Sequence, residues 1–363
     1  MAIKRIVIKI GSSSLTEKDG QLANDKVSDH ADAIASIMLA GFEVVLISSG
    51  AVATGVKQLG LSTRPVTTSG KQAAAAVGQH LLMQKYGESF KKHQINTAQL
   101  LLTRNDFYKE EQYQNAYNTL DELLKRRVLP IINENDSTAI EELTFGDNDM
   151  LSALVSGFLH ADQLIILTDI DGIYQENPLK NPSAMKYNHL NGVSEELLAQ
   201  AEDTSSKVGT GGMKSKLQAA RTALSMGVNV FIGTRSSTDS IEEILAGNGN
   251  GTYLTPTAKK IMKTKKQWIA YHSSTNGKLI IDEGAAQAIL KEGKSLLPVG
   301  ITSIQGEFNI GDVVQVCASS GVLLGKGKVT YSSDQLRSII SIGNKQSING
   351  KKEAIHRDQW IIV

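Results

Sequence analysis

Over the first 235 residues, short unbroken apolar runs alternate with longer stretches in which apolar positions recur every three or four residues. The run Ile3–Ile10 predicts a strand that ends at Gly11 and passes into the polar turn GSSSL. Between Asp25 and Ala40, Val27, Ala31, Ile34, Ile37 and Met38 recur at helical spacing, and Gly41 stops that helix before a strand EVVLIS at 43–48. The unit then repeats. A helix over 71–87, ending at Gly87, precedes a strand over 95–102; Tyr113, Ala116, Tyr117, Leu120, Leu123 and Leu124 mark a helix before the strand 128–133. Further on, the helix 148–160 feeds the strand 163–169, and the helix 211–227 feeds the strand 228–233. Strands that are continuous apolar runs, without polar alternation, belong to a mainly parallel sheet covered by helices on both faces. The predicted fold is an α/β, three-layer αβα sandwich.

The pattern lapses between Gly247 and Thr257, in NGNGTYLTPT, and a basic stretch, KKIMKTKKQW, follows at 259–268. Beyond it, short strands are separated by Gly-rich turns, with a short helix in SSDQLRSII predicted to be capped by Ser333. These shifts divide the chain into a large α/β domain over 1–258, a linker over 259–273 and a small β-rich domain over 274–363.

Composition narrows the function classes. The 363 residues carry 38 Lys and Arg against 37 Asp and Glu, so no global field draws the chain to nucleic acid or anionic lipid. One cysteine, Cys317, forbids an intrachain disulfide and a cysteine metal cage. The opening lacks the apolar core of a signal peptide, and no stretch reaches the about 18 apolar residues that cross a bilayer. The expected setting is the reducing cytoplasm, with no membrane contact.

Four polar segments follow predicted strands: 9–14, 48–53, 133–149 and 168–174. Strand C-termini are where open α/β sheets bind ligands. KIGSSSL and SSGAVATG offer small residues and free backbone N–H groups of the kind that cradle phosphates or carboxylates. Lys9 interrupts an apolar strand. It is either an outward-pointing residue on an edge strand or the partner of an anion at the sheet edge. NENDSTAIEELTFGDNDM concentrates Glu134, Asp136, Glu141, Glu142, Asp147 and Asp149, which fits Mg²⁺, a substrate ammonium, a solvated loop or, for one of them, a helix cap. GTGGMKSK sets Lys214 and Lys216 at a helix N-terminus, a placement that opposes the helix dipole unless an anion arrives. No Walker A pattern, GxSxG elbow or HxxxH pair occurs.

In this order and spacing, VIKIGSSSLT, LISSGAVATG, QLLLTRNDF, INENDSTAI with FGDNDMLSALVSGFLHADQLIILTDIDGIY, and GTGGMKSKLQAA resemble the glutamate 5-kinase branch of the amino acid kinase family. The stretch from Gly277 to Val314 resembles a PUA domain. The resemblance implies ATP-dependent phosphorylation of the γ-carboxylate of L-glutamate to L-glutamate 5-phosphate, the first step of L-proline biosynthesis. It gives catalysis to Lys9, Lys216 and Asp149, with Asp149 organising the two lysines, and the glutamate substrate to Ser49, Gly50, Asp136 and Asn148. The nucleotide falls to Lys9, Gly11, Ser12, Thr168, Asp169, Thr210, Gly211, Gly212, Met213, Lys214, Ser215 and Lys216. Mg²⁺ is implied without an assigned protein ligand. Feedback inhibition by proline, a homo-oligomer (dimer or tetramer), and glutamate-5-semialdehyde dehydrogenase as the next pathway enzyme come from the same resemblance.

The chemistry suits these residues on independent grounds. A γ-carboxylate with an ordinary pKa near 4.3 is ionised at neutral pH, so its phosphorylation needs no general base. It needs relief of repulsion, which paired lysines supply. The competing reading is RNA binding through the PUA-like region and the basic run from Lys259 to Lys266, with a degenerate kinase domain; near-zero net charge and few aromatics in that region weigh against it.

Overall fold

Arg5–Ile10 (β1) occupies the middle of an eight-stranded sheet, flanked on both sides by parallel partners, so its backbone groups are paired throughout. The computed structural model describes residues 4–17, 21–138, 147–178, 181–202, 212–236, 240–257, 264–342 and 353–362. Thr210 and Gly211, expected to touch the nucleotide, lie outside the described residues, as do Glu141 and Glu142. No described helix is long and apolar enough to cross a membrane.

The first part of the chain runs through α1 (Asn24–Leu39), β2 (Glu43–Ser48), α2 (Ala51–Gln58), α3 (Thr68–Lys91), β3 (Thr97–Leu102), α4 (Arg104–Tyr108), α5 (Glu110–Lys125) and β4 (Leu129–Glu134). It continues with α6 (Asn148–Phe158), β5 (Gln163–Leu167), β6 (Ile173–Tyr174), β7 (Lys186–Tyr187), β8 (His189–Asn191), α7 (Glu195–Glu202), α8 (Met213–Ser225), β9 (Asn229–Gly233), α9 (Ile241–Leu245) and β10 (Gly251–Thr255). The sheet order is β3-β4-β2-β1-β5-β9-β10-β8, with every pairing parallel except β9 with β10. Ile6, Ile8 and Ile10 pack with Val27, Ala31 and Ile34 of α1 and with Leu82, Tyr86 and Phe90 of α3. The other strand parity, Val7, Val45 and Ile166, is equally buried on the face that α6 and α8 cover. The layers are helix, sheet and helix.

Two expectations change. Gly87 does not end its helix, because α3 continues to Lys91 with Tyr86 and Phe90 anchored in the core on either side. That burial outweighs the about 1 kcal/mol a mid-helix glycine costs. The lapse at 247–257 also contains β10, whose antiparallel pairing with β9 escaped a pattern read as successive parallel βα units.

Two compact units emerge, one comprising 1–106 and 115–261, the other 107–114 and 262–363. The second holds α10 (Thr264–Tyr271), β11 (Thr275–Ile281), α11 (Glu283–Leu290), β12 (Ile301–Gly306), β13 (Val313–Ala318), β14 (Leu323–Val329), α12 (Ser333–Ile342) and β15 (Ile355–Ile362). Its sheet order is β12-β11-β13-β14-β15, around a core of Leu279, Val314, Val316, Tyr331, Leu336 and Ile355. Within this unit the Trp268 indole N–H donates to the carbonyls of Phe107 and Tyr108, at 3.0 and 3.2 Å. Ser332, not Ser333, caps α12: its hydroxyl accepts from Gln335 N at 3.3 Å, while Gln335 Oε1 accepts from Ser332 N at 3.1 Å.

Candidate active site

Because β1, β2, β4 and β5 run parallel, their C-termini share one edge, with Ile10 in register with both Ser48 and Leu167. Lys9 has the strand parity opposite to Ile8 and Ile10, so its side chain projects toward α6, and it is only 6% exposed. The edge-strand reading of Lys9 is therefore excluded, since β1 is central. Its Nζ lies 2.6 Å from Asp149 Oδ1.

Asp149 sits in the first turn of α6, where the helix dipole favours a carboxylate, and it has no exposed surface. Its second oxygen accepts from Lys216 Nζ at 3.2 Å. Lys216, on α8, is 5% exposed. One carboxylate thus holds two buried ammonium groups. Burial pushes the Asp149 carboxyl up, but the Lys9 and Lys216 charges overcome it and hold it below the ordinary carboxylate value.

Asp147 is the cap the sequence allowed for: its Oδ1 accepts from Asp149 N and Met150 N at 3.0 and 3.2 Å. Its Oδ2 takes the Ser215 hydroxyl, tying the start of α6 to the start of α8. Burial and the neighbouring Asp149 raise the Asp147 carboxyl above its usual value, against the Ser215 bond. Gly212 is the N-cap residue of α8 and offers no side-chain cap, and a Cβ there would meet nothing within 4 Å. Met213 and Lys214 open the same helix. Gly11 and Ser12 follow β1 directly, Ser12 beginning a short 3₁₀ turn. Thr168 and Asp169 follow β5, with the Thr168 hydroxyl donating to Asp169 Oδ1 at 3.0 Å.

Beside this cluster lies an amide network. Asn148 Nδ2 donates to Ser48 O at 2.9 Å, Ser49 Oγ at 2.9 Å and Asn133 Oδ1 at 2.8 Å. Gly50, at φ +100°, is the left-handed residue that turns the chain from β2 into α2 and keeps Ser49 in reach of Asn148. Asp136 stands apart from the lysines, on the wall of a cavity of about 270 Å³ that it shares with Ala51, Gln79, Gln99, Glu134 and Ser137. Burial raises the Asp136 carboxyl, partly offset by the charge of Arg64. Among the described residues no group of three His, Cys, Asp or Glu side chains converges as a metal site.

The structure thus joins Lys9, Asp149 and Lys216 in one contact set, and Ser49 and Asn148 in another. Sequence reasoning did not single out Gln79, Ser48 or Asn133. Gln79 had a signal: it is a long polar residue on the small, buried face of α3 formed by Ala74, Ala75 and Gly78.

Comparison with known proteins agrees with this geometry. The amino acid kinase family profile matches residues 4–234, and the PUA domain profile matches 277–348. Glutamate 5-kinase of Bacillus cereus strain G9842 is 54% identical over 365 residues, covering 99% of this chain and all of that protein. Glutamate 5-kinase 1 of Bacillus licheniformis is 54% identical over 364 residues, covering both proteins fully. Among solved structures, carbamate kinase from Giardia lamblia bound to AMP-PNP superposes with a TM-score of 0.51 at 19% identity, covering 70% of this chain and 99% of that one, a likeness of fold.

Proposed function

The chain belongs to the amino acid kinase family, and from that premise we propose that it transfers the γ-phosphoryl group of ATP to the γ-carboxylate of L-glutamate, giving L-glutamate 5-phosphate. The observation that carries this reading is the pair of buried lysines, Lys9 and Lys216, held by one buried carboxylate at the sheet edge beside an amide-lined cavity. Relatives alike over the full chain and named glutamate 5-kinase support the choice of acceptor.

Both reactants are anions, and the barrier to their approach is repulsion. Lys9 and Lys216 oppose it with charges fixed in a poorly solvated place, where they cost no reorganisation during transfer. Asp149 keeps the two ammonium groups aimed and apart. The uncapped first turn of α8 and the open space at Gly212 fit a polyphosphate. Mg²⁺, a hard cation with oxygen ligands, neutralises phosphate charge when it arrives with the nucleotide. Asp136 receives the α-ammonium, which favours its ionised form, while Ser49, Gly50 and Asn148 orient the carboxylate. No residue has to remove a proton from the acceptor.

To the same reading belong proline synthesis as the pathway, proline as feedback inhibitor, a homo-oligomer and a cytoplasmic setting, all resting on the family likeness. We place catalysis in 1–258 and the PUA domain in 274–363. The test is direct: purified protein, ATP, Mg²⁺ and L-glutamate are incubated with hydroxylamine, which traps acyl phosphate as a hydroxamate. Glutamyl hydroxamate formation is expected; ATP consumption without it, or no consumption, overturns the assignment.

A further inference from the structure

The amide network has a direction that backbone groups impose. Glu134 N–H donates to Asn133 Oδ1 at 2.9 Å, and a backbone N–H can only donate. The Asn133 oxygen is thereby fixed on that side, and its Nδ2 must find an acceptor, which is Gln79 Oε1 at 2.8 Å. At the other end the Ser48 carbonyl can only accept, so Asn148 presents its nitrogen to Ser48 and Asn133 alike. Each amide is locked in one of its two possible flips.

Gln79 ends this chain of locks. With its oxygen committed to Asn133, its Nε2 faces away and has no hydrogen-bond partner among the described residues. The residue is 7% exposed, and it lines the 270 Å³ cavity together with Asp136. Its place there is fixed rigidly. Gly55 and Gly78 bring α2 and α3 into backbone contact so close that a Cβ at Gly78 would stand 1.8 Å from Ala51 O, one residue before Gln79. A buried amide donor held in one orientation without an acceptor is unfavourable, and a ligand acceptor in the cavity relieves it.

We propose that Gln79 is a substrate-binding residue whose Nε2 donates to the α-carboxylate of glutamate, while its Oε1 keeps Asn133 and Asn148 in register. The inference rests on the proposed function. The α-carboxylate is the group adjacent to the α-ammonium, and Asp136, the acceptor for that ammonium, lines the same cavity. A site built around such a donor discriminates against ligands that leave it unpaired.

The test compares full-length parent, Gln79→Met and Gln79→Glu in the hydroxamate assay, with thermal melts of each. Gln79→Met keeps size and removes both polar atoms; Gln79→Glu keeps the acceptor toward Asn133 and removes the donors. Both are expected to raise the glutamate KM about 10-fold or more, with the ATP KM within twofold and kcat within threefold. If Gln79→Glu does not fold, Gln79→Met alone decides. A glutamate KM within twofold of the parent, an equal rise in both KM values, a fall in kcat at unchanged KM, or an effect of Gln79→Met that Gln79→Glu lacks each overturns the proposal while leaving the kinase reading intact. A parent that makes no glutamyl hydroxamate overturns both.

Discussion

Lys9 Nζ lies 2.6 Å from Asp149 Oδ1, joining the last turn-facing position of a central strand to the first turn of a helix on the sheet's other layer. Neither charge has water to fall back on. Replacing Asp149 by Asn leaves two buried ammonium groups facing a neutral amide, and breaking a buried ion pair on one side costs about 3–5 kcal/mol. Asp149→Asn is expected to lower the urea midpoint by a corresponding amount and to abolish hydroxamate formation; a variant as stable as the parent would show that the lysines are compensated elsewhere.

Lys9→Ala and Lys216→Ala remove one donor each and leave Asp149 with the other. If each lysine stabilises the transferring phosphoryl group, turnover falls about 100-fold or more at saturating ATP and glutamate, the scale set by deleting one preorganised donor. Retention of half the parental turnover by either variant would remove that lysine from the mechanism.

Asp136 makes a narrower claim, because it lies on the cavity wall away from the lysine pair. A charge-assisted hydrogen bond is worth about 1.5–3 kcal/mol, or roughly 10- to 150-fold. Asp136→Ala is expected to raise the glutamate KM by such a factor with little change for ATP. Glutarate, which lacks the ammonium, serves as the control: a poor substrate of the parent, and hardly worse with the variant.

What was legible in the sequence follows from periodicity and charge placement. The strand–helix alternation exposed the three-layer fold because fully buried strands such as Val44–Ile47 are apolar without interruption. Lys9 was visible as a charge in such a run. Its partner was not assignable from spacing, since Asp147 and Asp149 are both acidic residues at one helix start and only the fold shows that Asp147 caps while Asp149 meets the lysines. β10 was hidden because a five-residue strand with Gly251 at its start reads as a turn. Gln79 was hidden because its importance lies in a hydrogen bond to Asn133, distant in sequence.

His272 makes stability depend on pH. It is buried in the second unit against Phe107 and Tyr113, at ring distances of 5.6 and 5.2 Å, and burial lowers its pKa to about 4. An unfolded histidine titrates near 6.5, so between those values the unfolded chain binds a proton that the folded chain refuses. Stability is complete above about pH 6.5 and falls as pH drops toward 4. From pH 7 to 5 this amounts to about 2 kcal/mol. His30, also lowered to about 4 by burial and by Arg235, adds a second contribution of the same sign. In His272→Phe the loss of stability between pH 7 and 5, read from urea midpoints, is expected to shrink by about 2 kcal/mol. An unchanged pH dependence would show that His272 charges within the fold.

A chain ended at residue 258 keeps every residue proposed for catalysis, since all lie between Lys9 and Lys216. It also keeps β10 in the large sheet, and the apolar side of α9, Ile241 and Ile244, packs into that unit's own core. What it loses is the cover over Phe107 and Tyr113, which cluster with 262–363 through Trp268 and His272. Exposing two such rings forfeits about 2 kcal/mol each and leaves an apolar patch. The 1–258 fragment is therefore expected to form glutamyl hydroxamate at within about threefold of the parental turnover, yet to aggregate sooner, with Phe107→Gln reducing the light scattering. Sedimentation and the hydroxamate assay decide between outcomes. A soluble, folded fragment without activity would mean that the C-terminal unit is needed to order the active site, and that the division of labour proposed here is wrong.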